Sequence, residues 1–142
     1  MSLRESYPES ISWRLHGGEA VGDAVAAARG FGEANGLAKD DMARLCIVVE
    51  ELVTNLYEHG GQAETDPIEL SLARDAGALR IALVDSAKPF DLNAAPASSR
   101  PSERGAGVGI DLVRAWAEFV DYRSTSAGNR LELLLPLIDH GR

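Results

Sequence analysis

The stretch CIVVEELVTNLYEHGG, Cys46 to Gly61, sets a carboxylate and a carboxamide four residues apart inside an otherwise apolar run. On a helix, Glu51 and Asn55 share one face, about 6 Å apart along the axis. A glutamate so placed can orient or deprotonate a hydroxyl or a water. An amide oxygen one turn away can complete the oxygen shell of Mg²⁺. Glu58 and His59 extend the stripe by another turn, whereas Glu50 points about 100° away from Glu51, toward solvent or a pairing partner. A lone E-x-x-x-N is usually a solvated helix edge, so the pair gains meaning only from what accompanies it.

Two further constellations accompany it. Asp85 closes an apolar strand and precedes SAKPFD; a carboxylate there can accept a hydrogen bond from an exocyclic amine such as that of adenine, or simply cap a turn. RGAGVGID, Arg104 to Asp111, enters a helix from a loop. Glycines at that point let backbone N–H groups approach phosphate oxygens at the positive end of the helix, and serve equally well for packing or turning. The spacing is G-x-G-x-G after a polar loop, which excludes a dinucleotide-binding βαβ fingerprint, and no G-x-x-x-x-G-K-[ST] is present.

These residues need elements to hold them. SISWRLHG alternates Ile11, Trp13 and Leu15 and predicts a first strand ending at Gly17-Gly18. Glu19 to about Asn35 predicts a helix with Val21, Val25, Ala28 and Phe31 apolar and a stop at Asn35-Gly36. A second helix follows, capped by Asp40 or Asp41, with Met42, Leu45, Val49, Leu52, Val53 and Leu56 on its core face and its end at Gly60-Gly61. PIELSLARD and ALRIALVD predict a hairpin turning at Ala76-Gly77. Ser86 to Arg104 holds three prolines and four serines without apolar periodicity and predicts a long loop of the functional or mobile kind. GVGIDLVRAWAEF predicts a third helix with Ile110, Val113, Trp116 and Ala117 inward, and VDYRSTS with RLELLLPL a closing hairpin. The order implies an α+β fold, a two-layer α/β sandwich with the helices on one face of a mainly antiparallel sheet. Consecutive strands without an intervening helix speak against a doubly wound parallel sheet.

At 142 residues, the chain is expected to form a single domain over residues 1–142. Its 45% apolar and 25% charged residues are those of a soluble globular protein. A formal charge of -8 and a pI near 4.8 argue against broad binding to nucleic acid or anionic lipid, but not against phosphate ligands held through a divalent cation. The single cysteine, Cys46, lies among Leu45, Ile47 and Val48 and reads as a core thiol, which fits a reducing cytoplasm. MSLRESYPES lacks the apolar stretch of a signal peptide, and no run is long and apolar enough to span a membrane. The expectation is a cytoplasmic protein with no membrane and no direct nucleic-acid partner.

Taken in order, E-x-x-x-N on a helix, Asp at a strand end, a long loop and glycines opening a helix resemble the ATPase superfamily of DNA gyrase, histidine kinases and MutL repair proteins, the Bergerat fold. More closely, VEELVTNLYEHG, VDSAKPFD and ERGAGVGIDLV resemble the bacterial anti-sigma factor serine kinases, over about residues 10–137. The resemblance implies ATP and Mg²⁺ as cofactors, Glu51 as the general base and Asn55 as the Mg²⁺ ligand. It further implies Asp85 on the adenine amine, Gly105, Gly107, Val108 and Gly109 around the phosphates, and Arg104 on the γ-phosphate. His59 resembles the histidine ending the helix motif. Ala87 stands at the adenine site where the family often has glycine, and GNRLEL lacks the threonine often found there. The implied activity is phosphorylation of an anti-sigma factor antagonist of the STAS type, with a sigma factor as second partner and a homodimer touching through SWRLHGG. A nucleotide-dependent interaction switch without transfer is the other reading. The catalytic piece of a histidine kinase ranks below both, because no helical hairpin carries a phosphoacceptor histidine.

Overall fold

The computed structural model describes residues 10–15, 17–89 and 106–138, and the side chains of the last stretch from residue 110 onward. The elements run β1 (Ile11–Leu15), α1 (Ala20–Ala34), α2 (Lys39–Glu58), β2 (Ile68–Asp75), β3 (Ala78–Asp85), α3 (Ala106–Trp116), β4 (Glu118–Thr125) and β5 (Gly128–Pro136). The strands form one antiparallel sheet in the order β1-β2-β3-β5-β4. The fold is therefore α+β, as the element order predicted, with three helices and a five-stranded antiparallel sheet among the described residues.

Alternation sets which residues meet the helices. Leu70, Leu83 and Leu131 lie abreast on β2, β3 and β5, and the next row is Leu72, Ile81 and Leu133. These rows pack against Ala24, Ala28 and Phe31 of α1, against Leu45, Val49, Leu52 and Val53 of α2, and against Val113 of α3 in one core. Each fully buried aliphatic side chain contributes about 1.5–3 kcal/mol relative to exposure, so α2, with the longest buried stripe, is firmly held in the core between α1 and α3. Cys46 lies in that core as expected, and burial pushes its thiol pKa up. Although α2 has 20 residues, no helix among the described residues is long and apolar enough to cross a membrane.

Two expectations need correction. Neither Asp40 nor Asp41 caps α2: the N-cap is Ala38, without a side-chain hydrogen bond, and both aspartates lie in the first turn. Asp41 is instead buried and spends its carboxylate across the fold. Its Oδ1 accepts from the Ile138 N–H at 2.8 Å and from Arg44 Nη1 at 3.2 Å, while Arg44 donates to the Pro136 carbonyl at 3.0 Å. The start of α2 is thereby clasped to the end of β5. The third helix also stops sooner than predicted, at Trp116 instead of Phe119. Phe119 pairs opposite Leu133 in β4, so the sheet takes the apolar residue that helical periodicity had claimed. Of the long loop, Ser86 to Pro89 are irregular, and the remainder up to residue 105 lies outside the described residues.

Candidate functional site

The rigid seating of α2 determines where its polar residues go. Leu52 and Val53 anchor the helix in the core, and Asn55, only 8% exposed, lies among them. Its side-chain amide makes no hydrogen bond to a described residue, and it lines a recess together with Leu52, Gly60, Asp85, Tyr122 and Asn129. One turn back, Glu51 is half-buried while Glu50 is exposed, as the 100° step predicts. Burial pushes the Glu51 carboxyl pKa above the usual glutamate range, and the charges of Glu50 and Glu58 push it further in the same direction. A glutamate in that condition holds its proton more tightly than an exposed one, the property of a general base.

Asp85 forms the floor of the recess and is 7% exposed. Its Oδ1 accepts two hydrogen bonds of 2.8 Å, from the Ala87 N–H and from Asn129 Nδ2. Asn129 Nδ2 also donates to the Ala87 carbonyl at 2.8 Å, and Asn129 Oδ1 accepts from the Ser124 hydroxyl at 2.7 Å. One carboxylate oxygen is thus held by a closed network. Oδ2 has no hydrogen bond to a described residue, leaving an acceptor for a donor in the recess.

Ala87, whose methyl occupies a position often glycine in the resembling family, is buried. A Cβ placed on Gly60 would come within 3.1 Å of the Ala87 methyl and 2.9 Å of the Leu56 carbonyl. The methyl therefore fills the space that Gly60 leaves, and Ala87 is not among the residues lining the recess. The Lys88 N–H to Gly60 carbonyl bond, 2.9 Å, fastens the end of β3 to the end of α2. Gln62, 5% exposed, completes the tie by accepting from the Ser86 N–H at 3.0 Å and donating to the Asp66 carbonyl at 3.0 Å.

The structure brings Asn55 of α2 and Asp85 of β3 together in the recess, whereas Glu51, one turn back on α2, is not among the residues that line it. His59 is exposed at the C-terminal end of α2 with its backbone N–H on the Asn55 carbonyl at 2.9 Å, and it does not line the recess. Gly107, Val108 and Gly109 fall in the first turns of α3, which packs on α2. Arg104 and Gly105 lie outside the described residues. Sequence reasoning missed Asn129 and Gln62. Asn129 is the residue directly opposite Asp85 in the β3–β5 register, and only that pairing, not any motif, marks it.

The residues present fit a nucleotide with Mg²⁺. The described residues contain no group of three acidic, histidine or cysteine ligands that could cage a metal by themselves. A single amide oxygen such as that of Asn55 suits Mg²⁺, which keeps waters and takes phosphate oxygens from a nucleotide. The buried Asn55 amide and the free Asp85 Oδ2 are the polar groups such a ligand would satisfy.

Residues 18–135 match the histidine kinase-like ATPase domain family. The chain belongs to that family. Comparison with curated protein sequences gave no match. Among solved structures, the fold is similar to the blue-light activated histidine kinase EL346 of Erythrobacter litoralis, with a TM-score of 0.54, 16% identity and 87% of this chain covered. It is also similar to a chain of the SiaB-SiaC complex of Pseudomonas aeruginosa, with a TM-score of 0.60, 14% identity and 93% covered. The chain spans 42% of the first protein's chain and 90% of the second's.

Proposed function

We propose that this protein is a cytoplasmic, ATP- and Mg²⁺-dependent protein serine/threonine kinase of the anti-sigma factor type, which phosphorylates an anti-sigma factor antagonist and thereby regulates a sigma factor. The observation that carries the reading is the meeting of buried Asn55 and buried Asp85 in one recess, with half-buried Glu51 one turn before Asn55 on the same helix. Membership of an ATPase-domain family supports ATP as the ligand. Similarity to a chain found in a two-protein complex supports a protein partner.

In this reading, Asp85 accepts from the adenine amine through Oδ2, and Asn55 turns its amide oxygen toward Mg²⁺. Bound Mg·ATP supplies the transferable γ-phosphoryl group. Glu51 takes the proton from the attacking serine or threonine hydroxyl, a contribution worth roughly 10²–10⁴ in rate. Gly107, Val108 and Gly109 offer backbone N–H groups at the start of α3, with Gly105 and Arg104 completing the phosphate side.

Calorimetric titration with Mg·ATP and with ADP tests the reading: the expected result is saturable binding of both, and no detectable binding overturns it. With a cognate acceptor, Glu51→Ala is expected to abolish transfer while ATP binding persists. Undiminished transfer in that variant would remove Glu51 from the role of base. ATP binding with no transfer to any partner would leave an interaction switch.

A further inference from the structure

Asn129 is 3% exposed and stands directly opposite Asp85 in the β3–β5 register. Its carboxamide is spent on three partners. The two hydrogens of Nδ2 meet two acceptors at 2.8 Å each, Asp85 Oδ1 and the Ala87 carbonyl, and Asn129 Oδ1 receives the Ser124 hydroxyl at 2.7 Å. Turned over, the amide would set its oxygen against both acceptors and leave them without this donor, so one orientation alone satisfies these buried groups. Although Asn129 lines the recess, it has no spare N–H to offer a ligand there.

The consequence for Asp85 follows from the freedom of a carboxylate. Its terminal torsion is broad unless the surroundings narrow it. Here the Ala87 N–H closes an Asx turn on Oδ1, and Asn129 reaches the same oxygen from the neighbouring strand. Two donors converging on one oxygen from different elements fix the carboxylate plane, and with it the direction of Oδ2. Asn129 also takes the Ala87 carbonyl, so the peptide that supplies the first donor is itself fastened to β5. A fixed acceptor discriminates where a swivelling one does not. A 6-aminopurine presents an N–H to it. A 6-oxopurine presents a carbonyl at that position and an N–H on the next ring atom, N1, which a carboxylate free to tilt can follow and a fixed one cannot.

We propose that Asn129 is a specificity-determining residue of the nucleotide site: by fixing Asp85, it makes the recess accept a 6-aminopurine and refuse a 6-oxopurine. The inference rests on the reading of this recess as a nucleotide site. Asn129 positions Asp85 and does not read the base itself. Selectivity then comes from the mismatch of a buried acceptor with a carbonyl, which leaves both groups unpaired.

The test is calorimetric titration of the full chain with Mg·ATP and with Mg·ITP, whose base carries the 6-oxo group. Wild type is expected to prefer Mg·ATP by roughly 10- to 100-fold, the scale set by one unpaired buried polar group. In Asn129→Ala, Mg·ATP is expected to bind more weakly and Mg·ITP more tightly than in wild type, so that the preference falls by roughly tenfold or more. A merely structural role would weaken both nucleotides by the same factor, and that result would overturn the proposal. NMR of the ¹⁵N-labelled wild type gives a readout that does not depend on the variant folding. The Asn129 side-chain amide hydrogens are expected to exchange slowly with water both without ligand and in the Mg·ATP complex. Fast exchange in the complex would mean that the amide has left Asp85 for the ligand, and would overturn the positioning role. Wild type that binds Mg·ATP and Mg·ITP equally would overturn the proposal and leave the kinase reading standing. Wild type that binds neither would sink that reading and the proposal with it.

Discussion

At Glu51, burial and two neighbouring negative charges all oppose ionisation, and the same physics that would suit the carboxylate to the proposed role of base makes it a liability for the fold. The folded pKa is raised, so the native state holds this proton more tightly than the unfolded chain does. The stability linked to it is fully present below the ordinary glutamate pKa and is lost as pH rises through the raised value. Glu51→Gln is therefore expected to melt at a higher temperature than wild type at neutral pH, with the difference vanishing in acid, while phosphate transfer falls by roughly 10²–10⁴. Thermal melts across pH check the first part; an equal or lower melting temperature at neutral pH would contradict it. In wild type, transfer should rise with pH as Glu51 ionises, with a midpoint above the usual glutamate range. The shared face of Glu51 and Asn55 was legible in the sequence because helix geometry links residues four apart, whereas their roles came only from the resemblance. Asn129 was not, since its hydrogen bond to Asp85 spans 44 residues and exists only once β3 and β5 are in register.

Among the elements, β3 is the one on which the site converges, and its contacts at both sides are close. Gly128, with φ of +138°, opens β5 so near to β3 that a Cβ would meet the Asp85 carbonyl oxygen at 2.6 Å. Gly60 receives the Ala87 methyl on the other side. Gly128→Ala is thus expected to cost about 1–3 kcal/mol through backbone strain and to weaken nucleotide binding by shifting Asp85. Gly32→Ala serves as comparison: its Cβ would also approach at 2.6 Å, but against the Cε end of Met42, which can swing aside. Denaturant melts of the two variants check the contrast, and equal losses would refute it. The elements themselves were largely legible, because apolar periodicity reports burial and the central strands and long helices each bury one face. Their ends were less so. Trp116, Ala117 and Phe119 continue a helical pattern, yet the chain leaves the helix at Trp116 because Phe119 gains a partner in Leu133 across β4 and β5. Asp41 looks like a cap, but only the folded chain reveals the Ile138 N–H that claims it.

For the molecule as a whole, the question is how a chain of charge -8 takes up a polyanion. Long-range electrostatics oppose it, since like charges repel on approach and an acidic surface adds no steering. The described side chains of the recess include three carboxylic or amide groups, Asp85, Asn55 and Asn129, and one lysine, Lys88, so little of the phosphate charge is met by described protein cations there. Glycine amides at the start of α3 supply only partial positive charge. In the proposed reading the remaining neutralisation is shared between Arg104 and the divalent ion, to which Asn55 would give a protein oxygen. Nucleotide affinity should accordingly depend steeply on Mg²⁺. A ligand that binds only the native state at one hundred times its Kd stabilises it by about 2.7 kcal/mol, which for a domain of this size raises Tm by on the order of 10 °C. Melts with Mg·ATP should show a rise of that order, melts with ATP and EDTA a small fraction of it, and Mg²⁺ alone almost none. Asp85→Asn, whose amide oxygen can keep both bonds of Oδ1, from the Ala87 N–H and Asn129 Nδ2, but which presents N–H donors in place of Oδ2 toward the adenine amine, should lose most of the Mg·ATP shift. An equal rise with and without the metal would mean that protein cations hold the phosphates, and would take the metal-bridging role away from Asn55.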